Sequence, residues 1–156
     1  MERVYVELEV WDSNMGEDRL QKFGKIKVLE IMIKDPLFIT PNEKISATEL
    51  LMLRKKIGGL PVVKDQKSKQ LIGIITQRDI RLARFAMSLD SPNTTVKDLM
   101  TLEPFVVTED EELKGVLELM FEKNIQRIPV VNDNNQLIGL IVQSQILKKL
   151  FDYMKT

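Results

Sequence analysis

Thr76-Gln77-Arg78-Asp79 places a hydroxyl, a guanidinium and a carboxylate within four positions, directly after the apolar run Leu71 to Ile75. The run reads as a buried strand and the residues after it as a helix, so the tetrapeptide lies at a strand-to-helix junction. There the first N–H groups of the helix lack intrahelical partners and carry the positive end of its dipole. A phosphate suits such a place. Thr76 can add a hydroxyl donor and Arg78 a forked charged one, while the carboxylate of Asp79, an acceptor only, matches a pair of vicinal hydroxyls. The same spacing is also a capping box, in which Thr76 caps the helix and Asp79 reaches back to the backbone. On these four residues alone both readings stand.

A second copy of the stretch bears on that choice. QLIGIITQRDI from Gln70 and QLIGLIVQSQI from Gln136 agree at seven of eleven positions, but Thr76, Arg78 and Asp79 become Val142, Ser144 and Gln145. The duplication extends further: VLEIMIKDPLFIT from Val28 matches VKDLMTLEPFVVT from Val96, and IGGLPVV from Ile57 matches IQRIPVV from Ile125. Pro61 recurs at Pro129 and Gly73 at Gly139, spacings of 68 and 66, so the length difference falls in the polar stretch KDQKSKQ against NDNNQ. Length changes belong in turns, which makes that stretch a hairpin loop between two strands. The apolar half of the copied stretch is core that both copies need. The polar half is chemistry present in one.

Each copy reads as strand, helix, strand, strand, helix, an α/β unit. An extended run ends at Thr40 or Thr108. The helix that follows has Ile45, Leu50, Leu53 and Ile57, or Leu113, Val116, Leu117 and Met120, at helical spacing. The strands LPVV and LIGIIT, then IPVV and LIGLIV, are apolar enough to be buried on both faces. A closing helix starts at Gln77 or Gln143, with Ile146, Leu147, Leu150 and Met154 as its stripe in the second copy. The expected organisation is an extension over 1–24, repeat one over 25–87, a Ser/Asp/Pro/Asn linker over 88–95 and repeat two over 96–156. Alternation over 3–11 predicts an added N-terminal strand. Two copies of about 60 residues share one core more comfortably than either alone, and duplication generates a pseudo-twofold axis with a cleft on each side. Met52, Leu53, Met120 and Phe121, late in matched helices, exceed what two small cores can cover and predict a homodimer face.

Composition narrows the function. The 156 residues hold 23 Lys plus Arg and 23 Asp plus Glu, so no net field draws the chain to nucleic acid or an anionic membrane. Cys and His are both absent, which removes thiol nucleophiles, imidazole acid–base chemistry and zinc ligand sets. No catalytic constellation, metal site or cofactor is expected. The acidic run Glu109 to Glu112 reads as a helix start, where acids favour the dipole. The N-terminus does not read as a signal peptide and no apolar run approaches a membrane span, so a cytoplasmic protein is expected.

The order of Val28 to Met32, helix, GGLPVV and LIGIITQRDI, all repeated, resembles a tandem pair of CBS domains, the Bateman module, over roughly Lys25 to Lys149. The resemblance implies a regulatory module, usually dimeric, that binds an adenosine-containing small molecule (AMP, ADP, ATP or sometimes S-adenosylmethionine) in its clefts and acts on a separate effector protein. Thr76 and Asp79 match the family's S/T-x-x-D motif and Val142 with Gln145 do not. By the same resemblance the first cleft takes Ile125, Gln126, Arg127, Ile128 and Pro129 from the facing repeat, with Arg127 on phosphate, and Thr95 and Val96 on the adenine face. A second, weaker cleft would hold Lys27, Val28, Gly58, Gly59, Leu60, Pro61 and Gln145. An interaction scaffold with vestigial clefts and a basic stripe of Arg78, Arg81 and Arg84 is the alternative.

Overall fold

The computed structural model describes residues 13–87 and 92–155. Helix α1 (Ser13–Gly24) leads into a helical turn α2 (Val28–Ile31) and a two-residue strand β1 (Ile33–Lys34). Helix α3 (Ile45–Lys55), strands β2 (Gly59–Val63) and β3 (Leu71–Thr76), and helix α4 (Gln77–Met87) complete the first copy. The second repeats it with α5 (Val96–Leu99), β4 (Thr101–Leu102), α6 (Leu113–Lys123), β5 (Arg127–Val131), β6 (Leu137–Val142) and α7 (Gln143–Met154). The chain is α/β with two matched repeats, and α4 and α7 start at the expected residues. The strand expected over 3–11 lies outside the described residues, as do positions 88–91 of the linker expected over 88–95.

The leading segments differ from expectation. In place of an extended run, each has a helical turn, a two-residue strand and then a single parallel bridge, Ile39 to Val62 or Val107 to Val130. Each short strand also crosses to the other repeat. β1 pairs antiparallel with β6, Ile33 opposite Leu140, and β4 pairs with β3, Leu102 opposite Gly73, giving two sheets ordered β1-β6-β5 and β2-β3-β4. Apolar burial drives the exchange. Val28 and Ile31 complete a core with Leu113, Val116, Ile128, Ile141 and Ile146, while Val96 completes one with Ile45, Met52, Leu60, Ile75 and Ile80. Fully burying one such valine is worth about 1.5–3 kcal/mol. The crossing also accounts for Gly73 and Gly139: a Cβ on Gly73 would stand 2.8 Å from the Thr101 carbonyl, and one on Gly139 would stand 2.5 Å from Met32 Sδ.

Across the axis the hairpin loops bind each other in mirror fashion. Leu71 N–H donates to the Asn135 carbonyl at 3.0 Å and Leu137 N–H to the Lys69 carbonyl at 2.9 Å. Beneath them Val63, Leu71, Val131 and Leu137 form a small shared core.

Three helix faces need correction. On α3 the buried residues are Ile45, Thr48 and Met52, and Leu50 and Leu53 face outward. Met52 and Met120, expected on a dimer face, are 0% and 2% exposed, whereas their neighbours Leu53 and Phe121 are 70% and 72% exposed. On α7, Ile146 is buried and Leu150 and Tyr153 pack partly against the same core, while Leu147 and Met154 are exposed. The inward residue that apolar spacing does not mark on α3 is the polar Thr48. Its hydroxyl donates to the Lys44 carbonyl at 3.0 Å, which lets it be buried.

Helix α3 ends on Lys56 at φ 53° and ψ 44°, and α6 ends on Asn124 at φ 52° and ψ 47°. A left-handed residue strains a lysine more than an asparagine or a glycine. Lys56→Gly is therefore expected to raise stability by up to about 1 kcal/mol, read as a higher urea midpoint with unchanged slope. A lower midpoint would contradict the assignment.

Candidate functional site

The strand-to-helix junction of repeat one is fixed by its own ladder. Gly59 lies opposite Thr76, and Gln77 N–H donates to the Gly58 carbonyl at 2.9 Å. Thr76 then caps α4: its N–H and its hydroxyl both donate to Asp79 Oδ2 at 2.8 Å, and Asp79 N–H donates to Thr76 Oγ1 at 3.2 Å. The capping box is formed. It engages one oxygen of the carboxylate, leaving Oδ1 of the half-buried Asp79 to accept from something else. At the matching start of α7, Val142 makes no side-chain cap, and the shared feature is Gln143 N–H donating to the Gln126 carbonyl at 2.9 Å. The fold closes this junction without a cap.

Arg127 arrives from the facing repeat. It opens β5 opposite Val142, and its half-buried side chain extends over Gly58 and Gly59 toward Thr76. A Cβ on Gly59 would meet Arg127 Cδ at 2.8 Å and Thr76 Cγ2 at 3.1 Å. Burial pulls the guanidinium below its ordinary pKa, and the Asp79 charge acts the other way. An arginine nevertheless stays protonated. The result is a partly desolvated cation facing a half-buried carboxylate with no ion pair closed between them. A ligand with an anionic end and a hydroxylated end would satisfy both.

Thr95 and Val96 reach the same junction through the exchanged segment. Thr95 caps α5, its N–H and hydroxyl donating to Asp98 Oδ2 at 2.8 and 3.0 Å, and Val96 is buried beside Ile75 and Ile80, the neighbours of Thr76 and Asp79. Val28 holds the equivalent place in the other core, beside Ile146 of α7, and Lys27 Nζ donates to Glu112 at 3.4 Å. Glu111 and Glu109 of the acidic run accept Val28 and Leu29 N–H groups through their carbonyls, and Glu112 takes the N-cap position of α6 without a side-chain cap.

Other sequence-predicted residues divide clearly. Ile128 and Leu60 are core, and Pro129 and Pro61 are buried with their carbonyls accepting Val107 and Ile39 N–H groups. Ile125 is half-buried and Arg78 exposed, and Gln126, read by resemblance as part of the first cleft, is exposed with its carbonyl at the start of α7 instead, accepting Gln143 N–H. Gly58 and Gly59, read by resemblance as part of the second cleft, stand beside Thr76 and Arg127. Of the basic stripe, Arg84 is committed to Glu49 through two hydrogen bonds.

The comparisons with known proteins agree with this architecture. The CBS domain family matches residues 28–85 and 96–152. Inosine-5'-monophosphate dehydrogenase of Methanocaldococcus jannaschii is 36% identical over 144 residues, covering 91% of this chain and 27% of that protein. The Staphylococcus haemolyticus enzyme is 33% identical, with 92% and 28% covered. The chain thus spans about a quarter of the length of these relatives. Among solved structures, CBSX2 in complex with AMP aligns with a TM-score of 0.73 at 26% identity, covering 83% of this chain and 98% of that one. A CBS domain pair in complex with 5'-methylthioadenosine and S-adenosyl-L-methionine gives 0.71 at 30%, covering 84% and 98%.

The cap has a measurable stability consequence. Asp79→Ala should lower stability by about 0.5–2 kcal/mol, whereas Gln145→Ala, where no cap exists, should stay within about 0.5 kcal/mol. Equal effects in thermal melts would contradict the geometry. Thr95 holds the Asp98 carboxyl below its ordinary 3.8 by two donated hydrogen bonds. Its folded value is the lower one, so its contribution is complete above the ordinary value and disappears as pH falls through the folded one. An NMR titration of Asp98 that finds an ordinary or raised value would overturn this.

Proposed function

This chain belongs to the CBS domain family as a tandem pair of repeats, and from that premise we propose that it is a regulatory module binding a phosphorylated adenosine in the first cleft and acting on a separate effector protein. The observation that carries the reading is the meeting of Asp79, with one carboxylate oxygen open, and Arg127, a desolvated cation from the other repeat. Ribose hydroxyls suit the first and phosphate the second. Thr95, half-buried beside the junction, is the residue of the exchanged segment that can face a base, with Val96 fully buried behind it. The ligands in the two related structures, AMP in one and S-adenosyl-L-methionine with 5'-methylthioadenosine in the other, make an adenosine compound the class to test. Between these, the positive charge of Arg127 favours an anionic phosphate over a sulfonium cation.

The role assigned to the pair is regulatory, and the pair corresponds to about a quarter of each dehydrogenase relative. Among the described residues no helix is long and apolar enough to cross a membrane, and we infer a cytoplasmic setting. A homodimer is also proposed. Leu53, Phe121, Phe85, Leu82 and Phe151, between 55% and 85% exposed on α3, α6, α4 and α7, are more apolar surface than a monomer usually leaves to water. Sedimentation should give a dimer at micromolar concentration, and a monomer would refute it.

Calorimetry with AMP should find one strong site per chain, since the second cleft has Val142 and Gln145 in place of Thr76 and Asp79. Asp79→Ala should weaken AMP by about tenfold to a hundredfold, the value of a hydrogen bond to a charged group, measured per folded molecule. Two equal sites, or no binding of AMP, ATP or S-adenosylmethionine, would refute the reading and favour the scaffold.

A further inference from the structure

Gly58 and Gly59 stand where repeat two has Gln126 and Arg127. Neither glycine has a positive φ, so neither is required by a backbone shape closed to other residues. Their surroundings differ. A Cβ on Gly59 would press on the Ile75 carbonyl at 3.1 Å as well as on Arg127 and Thr76. At Gly58 the three nearest atoms all belong to the Arg127 guanidinium: Nη2 at 2.6 Å, Cζ at 3.3 Å and Nη1 at 3.7 Å. A side chain at position 58 therefore has one consequence, which is to push the far end of a flexible side chain out of the place it now occupies.

We propose that Gly58 is a positioning residue, the opening through which repeat two delivers its cation into the cleft of repeat one, so that discrimination between phosphorylated and unphosphorylated nucleosides depends on the absence of a side chain there. This rests on the nucleotide-binding reading given above. The same pair of glycines makes the delivery one-way. Gly59 occupies the position equivalent to Arg127, so repeat one has no cation to return to the second cleft. The asymmetry between the clefts is thereby built twice, once in the Thr76–Asp79 junction and once in the strand that faces Arg127.

Gly58→Ala is the test, with AMP and adenosine as probes in calorimetry on the full chain. The fold should persist, because the displaced group is a side-chain terminus and α4 keeps Gln77 N–H on the position 58 carbonyl. AMP affinity should fall by about tenfold or more, the loss expected for a charge-assisted phosphate contact, with adenosine affinity unchanged. In an Arg127→Ala background the Gly58→Ala change should add nothing, which a merely structural role of the glycine would not reproduce. An AMP-to-adenosine ratio unchanged by Gly58→Ala, or additive losses in the double variant, would overturn the proposal. A second readout needs no ligand: the Arg127 Nε–H resonance should move to the position of a solvent-exposed arginine in Gly58→Ala. If the wild type binds neither probe, the nucleotide reading falls. In that case a Gly58→Ala spectrum with Arg127 Nε–H at its wild-type position overturns the gating geometry as well.

Discussion

The structure depends on an exchange: neither repeat closes its own core. Val96 comes from the segment that introduces repeat two, yet it is fully buried among Ile75, Ile80 and Met52 of repeat one, and Val28 makes the reciprocal crossing into repeat two. Two-residue strands such as β1 and β4 have little stability of their own. They persist because the apolar turns before them are anchored in the opposite core, and because Gly73 and Gly139 let the crossing backbone approach. The exchange makes the pair one folding unit and brings Thr95 and Val96 beside the junction of Thr76 and Asp79.

The junction then shows how one carboxylate can hold a helix start and still keep an acceptor oxygen free. Asp79 Oδ2 holds the first turn of α4 through two donors from Thr76, which fixes the carboxyl group in one rotamer and leaves the other oxygen directed away from the cap. Preorganisation of this kind lowers the ordering cost of binding. Repeat two, which lacks cap and carboxylate alike, shows that the fold does not need them. Capping box and proposed ligand site are therefore built from the same constellation.

The strongly patterned features were legible in the sequence. Buried strands, the hairpin loops, the start of α4 and α7 and the duplication followed from apolar runs, turn residues and spacing. What escaped was nonlocal. Strands of two residues have no period to detect, and nothing local says that Ile33 pairs with Leu140 rather than within its own repeat. The face of α3 was misread because apolar count favoured Leu50 and Leu53, yet aligning Thr48 with Val116 across the duplication would have marked Thr48 as inward. Thr95-Val96-Lys97-Asp98 is itself a capping box, a local signal for the turn α5 that the extended-run reading passes over. At the site, Thr76, Asp79 and Arg127 were legible as chemistry, whereas the role of Gly58 was not, because the residue that fills its empty side-chain space is remote in sequence.

The central claim is that one cleft, assembled from α4, the exchanged segment and Arg127, holds the ligand. Backbone amide chemical-shift mapping during an AMP titration tests it most directly. The account predicts the largest changes at Gly58, Thr76, Asp79, Val96 and Arg127, with Lys27, Val28 and residues 143–146 nearly still. Changes centred on Lys27, Val28 and residues 143–146, or scattered over both repeats alike, would contradict it.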